Sequence, residues 1–182
     1  MSNRESSNRD LVYIALFAAI TAVLGLLPTI PLAFIPVPIT ARSLGVMLAG
    51  SILGARRGGL AMLLFLLLIA MGIPQASGRS GLGIFFSPSG GFLFAFPLAA
   101  FTIGWLVERF WQRVNVGNLV LFNLIGGVGV LYAIGVPWLA ALSGFETVLA
   151  TVAFLPGDVI KTVIAALVAV TVKRAYPLIT TR

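Results

Sequence analysis

A chain of 182 residues that is 59% hydrophobic and only 9% charged is not a water-soluble domain, which carries roughly 25% charged residues. With a mean hydropathy of +1.09, lipid must solvate much of its surface. The absence of cysteine and histidine excludes disulfide frameworks, thiolate and imidazole metal sites, and Ser-His-Asp triads. The net charge of +7 does not point to nucleic acid, because the basic residues form short clusters between apolar runs rather than one continuous face.

Met1 to Asp10 is polar and of mixed charge. A first apolar span runs from Leu11 to Leu27 and ends in Leu-Pro-Thr-Ile-Pro without a small-residue cleavage site, so a removable signal peptide is not expected. The stretch Pro28 to Pro38 carries four prolines and reads as a structured loop, since proline lacks the donor and the dihedral freedom a regular helix needs. A short second span starts near Ser43 and stops at Ala55-Arg56-Arg57-Gly58. Its length implies tilt, shielding by protein, or extension through Arg42. The third span covers Gly59 to Ile73. Pro74 to Gly91, rich in Gly, Ser and Pro, is the longest stretch without helical character.

The fourth span covers Phe92 to Val107 and closes at Glu108-Arg109-Phe110-Trp111-Gln112-Arg113. The fifth covers Leu119 to Leu142, with Pro137 predicted to kink or end it. Residues 143–155 read as a loop with a short helix, and a sixth span runs from Pro156 to Ala175, closed by Lys173-Arg174. The expectation is an all-α integral membrane protein of six transmembrane helices. It forms one domain over residues 1–182: a cytoplasmic segment 1–10, a bundle 11–176 and a tail 177–182.

Charge bias sets the predicted orientation. With the N-terminus in the cytoplasm, Arg4, Arg9, Arg56, Arg57, Arg109, Arg113, Lys173, Arg174 and Arg182 all fall inside. Only Arg42 and Arg79 fall in outer connections. Both termini are then cytoplasmic, and an even number of spans agrees.

Arg42, Arg79, Asp158 and Lys161 break this pattern by lying at or just below the predicted outer surface, each beside a Gly- or Pro-rich break. An ionisable residue inside a span costs about 2.5–3.5 kcal/mol on insertion scales and is a functional candidate for that reason. Asp158 and Lys161, three residues apart, share a helix face. Pro156-Gly157 places Asp158 in a first turn, where the helix dipole favours a carboxylate. A plain ion pair closing the helix end is the structural alternative. The four charges sum to +2 and suit an anionic ligand with neutral polar groups. Asp158 accepts from ligand N–H groups, Lys161 donates to a carbonyl or holds Asp158, and an arginine grips a carboxylate. Phe34, Phe85, Phe86, Phe92 and Trp138 are the aromatic supply for an apolar slot. Helix one carries Ala15, Ala18, Ala19 and Ala22, two small-residue pairs at i,i+4 spacing, which suit close helix approach within the chain or against a partner.

Pro36-Val-Pro-Ile-Thr40, Leu48-Ala-Gly50, Gly54-Ala-Arg-Arg-Gly58, Gly81-Leu-Gly83, Pro88-Ser-Gly-Gly91, Phe96-Pro-Leu-Ala-Ala-Phe101 and Phe154-Leu-Pro-Gly-Asp-Val-Ile-Lys161 occur in this order. The set resembles the BioY family, the biotin-specific S components of energy-coupling factor (ECF) transporters, from Leu11 to Val172. Pro-Gly-Asp-x-x-Lys is its most telling element. The resemblance implies the six-helix S-component fold in a bacterial plasma membrane. It places biotin near the outer surface, under the loop between the first two helices and the loop before the fourth. By the same resemblance the family's Asp and Lys map onto Asp158 and Lys161. Arg42 and Arg79 from the charge pattern, with Ser80, Gly81 and Phe92, complete the expected substrate-binding set. The family often has Gln where Arg42 stands, Gly-Gly-Ser/Asn-Gly-Gly where this chain reads Ser77 to Gly81, and Tyr where Phe92 stands. Which arginine meets a carboxylate stays open.

In S components a similar alanine face of helix one docks on the transmembrane scaffold (T) subunit. The resemblance therefore implies a T subunit and two ABC-type ATPase subunits as partners. No Gly-x-x-x-x-Gly-Lys-Ser/Thr loop is present, so the chain does not hydrolyse ATP and active uptake borrows energy from those partners. Neither enzymatic activity nor a cofactor or metal is expected, and biotin is the ligand. Three rivals are an S component for another vitamin, a small membrane enzyme using Asp158 and Lys161, and a structural subunit without a ligand.

Overall fold

The computed structural model describes residues 2–32, 35–75 and 80–175. Helix α1 (Ser2–Leu24) leads into an antiparallel hairpin of β1 (Ile30–Leu32) and β2 (Ile35–Ile39). Then follow α2 (Arg42–Leu53), α3 (Ala55–Ala70), a 3-10 turn over Leu82–Phe86 and α4 (Gly90–Arg109). The next helical stretch comprises α5 (Val116–Leu124), a π segment over Ile125–Val130 and α6 (Leu131–Ser143). A short α7 (Glu146–Ala150) and a 3-10 turn lead into α8 (Leu155–Ala175).

The protein is a multi-pass membrane bundle. Among the described residues, four helical stretches are long and apolar enough to cross a bilayer: Ser7–Leu24, Gly90–Arg109, Val116–Ser143 and Glu146–Ala175. Helix α2 has 12 residues, about 18 Å at 1.5 Å per residue, and falls short of a hydrocarbon core of about 30 Å. It does not meet lipid as an isolated rod, for it packs against α1, α3, α4 and α8 and is buried over most of its length. Its start at Arg42 is the extension the sequence left open.

The structure differs from the sequence reading at several boundaries. Helix α1 starts at Ser2, so the polar segment 1–10 is helical up to the edge of the described residues, with Asp10 paired to Arg57 at 2.9 Å. The Pro-rich connection adds the one departure from an all-helical body among the described residues. Its strands stay short, with Ile30 opposite Ile39 and Leu32 opposite Ile35, since Pro31, Pro36 and Pro38 cannot donate to a ladder. Helix α3 begins at Ala55 rather than Gly59, and α4 at Gly90 rather than Phe92. Pro137 does not end its helix, which runs on to Ser143. Neighbouring helices make such a proline tolerable in a membrane bundle.

One main core joins α1, α2, α3, α4, α5 and α8. Where helices come closest the residue is glycine. A Cβ on Gly104 of α4 would strike the backbone of Gly54 and Ala55, and one on Gly45 of α2 would strike Thr21 of α1. A polar bond crosses the core, Ser51 donating to Asn123 Oδ1 at 3.0 Å, with both residues buried.

A second, smaller apolar cluster holds Val37, Leu139 and Phe154, packed with Ile39, Phe92 and Tyr132. The hairpin thus sits on α4, α6 and the approach to α8, and gives the molecule a capped end. The opposite end gathers Asp10, Gly54–Arg57, Glu108–Arg113 and Lys173, joined across helices by Arg57–Asp10, by Ala55 N donating to Glu108 Oε1 at 2.8 Å, and by Lys173 Nζ donating to Trp111 O at 2.6 Å.

Candidate ligand-binding site

Helix α8 buries Asp158, Thr162, Ala165, Ala166, Ala169 and Val170. The steps of three and four keep them on one face, and Asp158 is the first member at the capped end. Its placement follows from the sequence as expected: Pro156 and Gly157 open the helix and put the carboxylate in the first turn, against the positive end of the dipole. The side chain is buried, with the residue 7% exposed.

Three side chains from three helices meet at this carboxylate or beside it. Lys161 Nζ lies 3.0 Å from Asp158 Oδ1. The Tyr132 hydroxyl of α6 donates to Asp158 Oδ2 at 2.8 Å. Lys161 also donates to Ser43 Oγ of α2 at 3.0 Å. Asp158 thus has a charged donor on one oxygen and a phenolic donor on the other, while Lys161 ties α8 to α2. Each oxygen of an ionised carboxylate has two lone-pair directions, so both can accept again from a ligand.

An apolar wall adjoins this knot. Phe92 meets the Tyr132 ring edge-on, with centroids 6.1 Å apart, and lies so close to Gly135 that a Cβ there would strike its ring. Ile39 of the hairpin reaches within 3.9 Å of a Cβ built on Gly157, next to Asp158. Beyond Phe92, Trp138 packs edge-on against Phe94 at 5.7 Å, while its Nε1–H donates to Ser87 O at 3.0 Å. Phe85 packs on Phe94 at 5.4 Å, and Phe86 is exposed.

Of the residues singled out in the sequence, Asp158 and Lys161 are brought together and Phe92 stands one ring away. Arg42 is buried on the first turn of α2, beside Ser43. Ser80 is exposed. Gly81 follows with φ +72°, and its N–H donates to Ile69 O at 2.9 Å. These are turn geometry, and no described hydrogen bond joins either residue to Asp158. Arg79 and Phe34 lie outside the described residues. Tyr132 and Ser43 were missed by sequence reasoning, because they stand 26 and 118 residues from the groups they bind and no local spacing marks such pairs. The one available signal was a phenol inside an otherwise apolar stretch, since a buried Tyr hydroxyl seeks a partner.

The alanine face of helix one divides. Ala18 and Ala22 are buried in the core, whereas Ala15 and Ala19 are exposed beside Leu11, Val12, Leu16 and Val23. The four therefore do not form one partner-facing stripe. Helical steps of 100° set the 15/19 row beside the 18/22 row, and the latter turns inward.

Buried ionisable groups under an apolar cap, inside a multi-pass bundle, define a membrane protein with a polar cluster withdrawn from water near one end. The chain belongs to the BioY family, whose model matches residues 1–178. It is 51% identical to the biotin transporter BioY of Rhizobium etli, over 97% of this chain and 99% of that one. It is 43% identical to the biotin transporter BioY of Rhodobacter capsulatus, over 93% and 95%. Its fold matches the crystal structure of the S-component for biotin from an ECF-type ABC transporter, with a TM-score of 0.86 and 30% identity, covering 96% and 95% of the two chains.

Proposed function

We propose that this protein captures biotin outside a bacterial cell as the substrate-binding S component of an ECF-type uptake transporter. It is a transport subunit and not an enzyme. The observation that carries the reading is the Asp158 carboxylate, buried, held by Lys161 and Tyr132, and adjoined by the Phe92 wall and the hairpin. Biotin offers what such a site can read: two ureido N–H donors for Asp158, a ureido carbonyl for Lys161, and an apolar bicycle for Phe92 and Tyr132. Ser80 and Gly81 belong to the connection before α4, which this reading places beside the ligand. One domain over residues 1–182 crosses the plasma membrane six times, α2 and α3 completing the four long stretches. Both termini are cytoplasmic, because the end that gathers Arg56, Arg57, Arg109, Arg113, Lys173 and Arg174 is the basic one.

Equilibrium binding of biotin to the detergent-purified chain, with desthiobiotin as comparator, tests this. Saturable one-site binding of biotin supports it. Absence of binding by folded wild-type protein, or preference for another vitamin, overturns it.

The partners are a T subunit and two ABC-type ATPases, met through the exposed Ala15 and Ala19 row of α1. Small residues allow close helix approach, and leucine at both positions is expected to spare biotin binding while weakening co-purification with those subunits. Equal loss of both would place the row in intramolecular packing instead.

A further inference from the structure

The first turn of α2 presents an unbalanced buried cation. Arg42 is 4% exposed, and its Nε and Nη1 are buried without a hydrogen-bond partner. Neither the Arg57–Asp10 pair nor the Lys161–Asp158 pair includes Arg42. The turn itself is open as well: its N-cap residue, Ala41, supplies no side-chain cap, and no acidic residue stands in the first turn. A guanidinium taken out of water without a counter-charge carries a penalty of several kcal/mol. Such a group is retained where something charged comes to meet it.

We propose that Arg42 and the uncapped first turn of α2 form a carboxylate subsite, which anchors the acid end of the ligand while Asp158 and Lys161 read the other end. This rests on the biotin reading above and adds which group holds the charge. Three features of one place agree with it. A guanidinium binds a carboxylate through two parallel N–H donors. The N-terminal end of a helix attracts anions through its free N–H groups and dipole. The net charge of Arg42, Lys161 and Asp158 is +1, which one carboxylate cancels. Ser43, the next residue, accepts from Lys161, so Arg42 and the group that holds Lys161 stand on the same first turn of α2.

Gln75 offers the competing explanation. It is buried, its Oε1 has no donor, and it packs against Gly25, one helical turn beyond Thr21, whose contact with Gly45 sets the level of α2 one turn below Arg42. If Arg42 serves only to satisfy Gln75, the pair is structural and indifferent to ligand charge.

The test measures equilibrium binding of biotin and of biotin primary amide, which lacks the charge, to wild-type, R42Q, R42K and Q75L proteins in detergent, each checked for monodispersity. Wild type is expected to prefer the acid. R42Q should lose on the order of tenfold to a hundredfold in biotin affinity, the equivalent of a charge-assisted hydrogen-bond pair. It should bind the amide within about twofold of wild type, so that the preference disappears. R42K, which keeps the charge but not the fork, should retain part of the preference, and it serves if R42Q does not fold. Q75L should keep the full preference. Wild-type protein that binds acid and amide equally, an R42Q protein that keeps the preference, or equal losses for both ligands in R42Q and Q75L would each overturn the subsite. Failure of wild type to bind either compound would instead overturn the biotin reading.

Discussion

The two ends of the bundle use the same side chains for different purposes. At the basic end Glu108 is exposed and accepts from the Ala55 N–H. Lys173 donates to the Trp111 carbonyl and lies 4.5 Å from the centre of that indole ring. Each charge there completes a helix end with water close by. At the capped end Asp158 is buried between Lys161 and Tyr132, and Arg42 is buried with two nitrogens unpartnered. A carboxylate that caps a turn in reach of water adds about 1 kcal/mol to stability. A carboxylate withdrawn from water with a cation beside it is expensive to maintain and strongly destabilising to break. The contrast teaches that location, more than residue type, separates charges that complete helix ends near water from charges withdrawn into the bundle.

The largest effect that tests the comparison is all-or-none. If the two ends face opposite sides of the membrane, single cysteines at Ser80 and at Gln112, both exposed, react with an impermeant maleimide from opposite sides of oriented vesicles. The native chain has no cysteine, so the background is nil. Labelling of both positions from the same side removes the topology and, with it, the assignment of the capped end to the outside.

The next effect in size lies within the Asp158 knot. Asp158→Asn breaks a buried ion pair, for which 3–5 kcal/mol is typical, and an affinity loss on the order of a hundredfold or more is expected. An amide also presents a donor where the carboxylate only accepts. Lys161→Ala made in the Asp158→Asn background should cost less than it does alone, since residues in one network are not additive. Tyr132→Phe keeps the ring against Phe92 but removes one donor to Asp158 Oδ2, so about a tenfold loss is expected, as for one hydrogen bond to a charged group. Wild-type affinity in folded Asp158→Asn and Lys161→Ala proteins would leave the knot as a helix-end cap, no different in kind from Glu108.

Much of this was legible in the sequence, and unevenly so. Hydropathy and the basic clusters place the membrane body, and Pro156-Gly157-Asp158 followed by Lys161 marks the first turn of α8 and its ion pair, because those signals are local. The hairpin could be read only as a loop, since four prolines exclude a helix without naming the short antiparallel pairing that replaces it. The span across Pro137 to Leu142 was legible, whereas the choice between a kink and a helix end at that proline was not, because it depends on neighbouring helices. Tyr132 and Ser43 reach Asp158 and Lys161 across the bundle, and the burial of Arg42 depends on how α2 is packed. Similarly, Ala15 and Ala18 look equivalent in sequence, and only packing separates the outward row from the inward one.

The smallest expected effect completes the comparison from the basic end. Glu108 Oε1 stands so close to Gly54 that a Cβ there would meet it, and Gly54 has φ +85°, a backbone that favours glycine. The carboxylate therefore stabilises the tight connection between α2 and α3 by accepting from the next N–H. Glu108→Gln retains an acceptor but removes its charge. It should lower thermal stability by about 1 kcal/mol or less, which corresponds to a melting shift of about 2–4 °C for a chain of this size. Biotin affinity should not change, because the residue lies at the opposite end of the bundle from Asp158 and Arg42. A combined measurement of melting temperature and biotin binding on the same preparation separates the two outcomes. A loss of affinity from Glu108→Gln, beyond what unfolding accounts for, would mean that the α2–α3 connection transmits strain along α2 to Ser43 and Arg42. The two ends would then be coupled parts of one device rather than a structural end and a binding end.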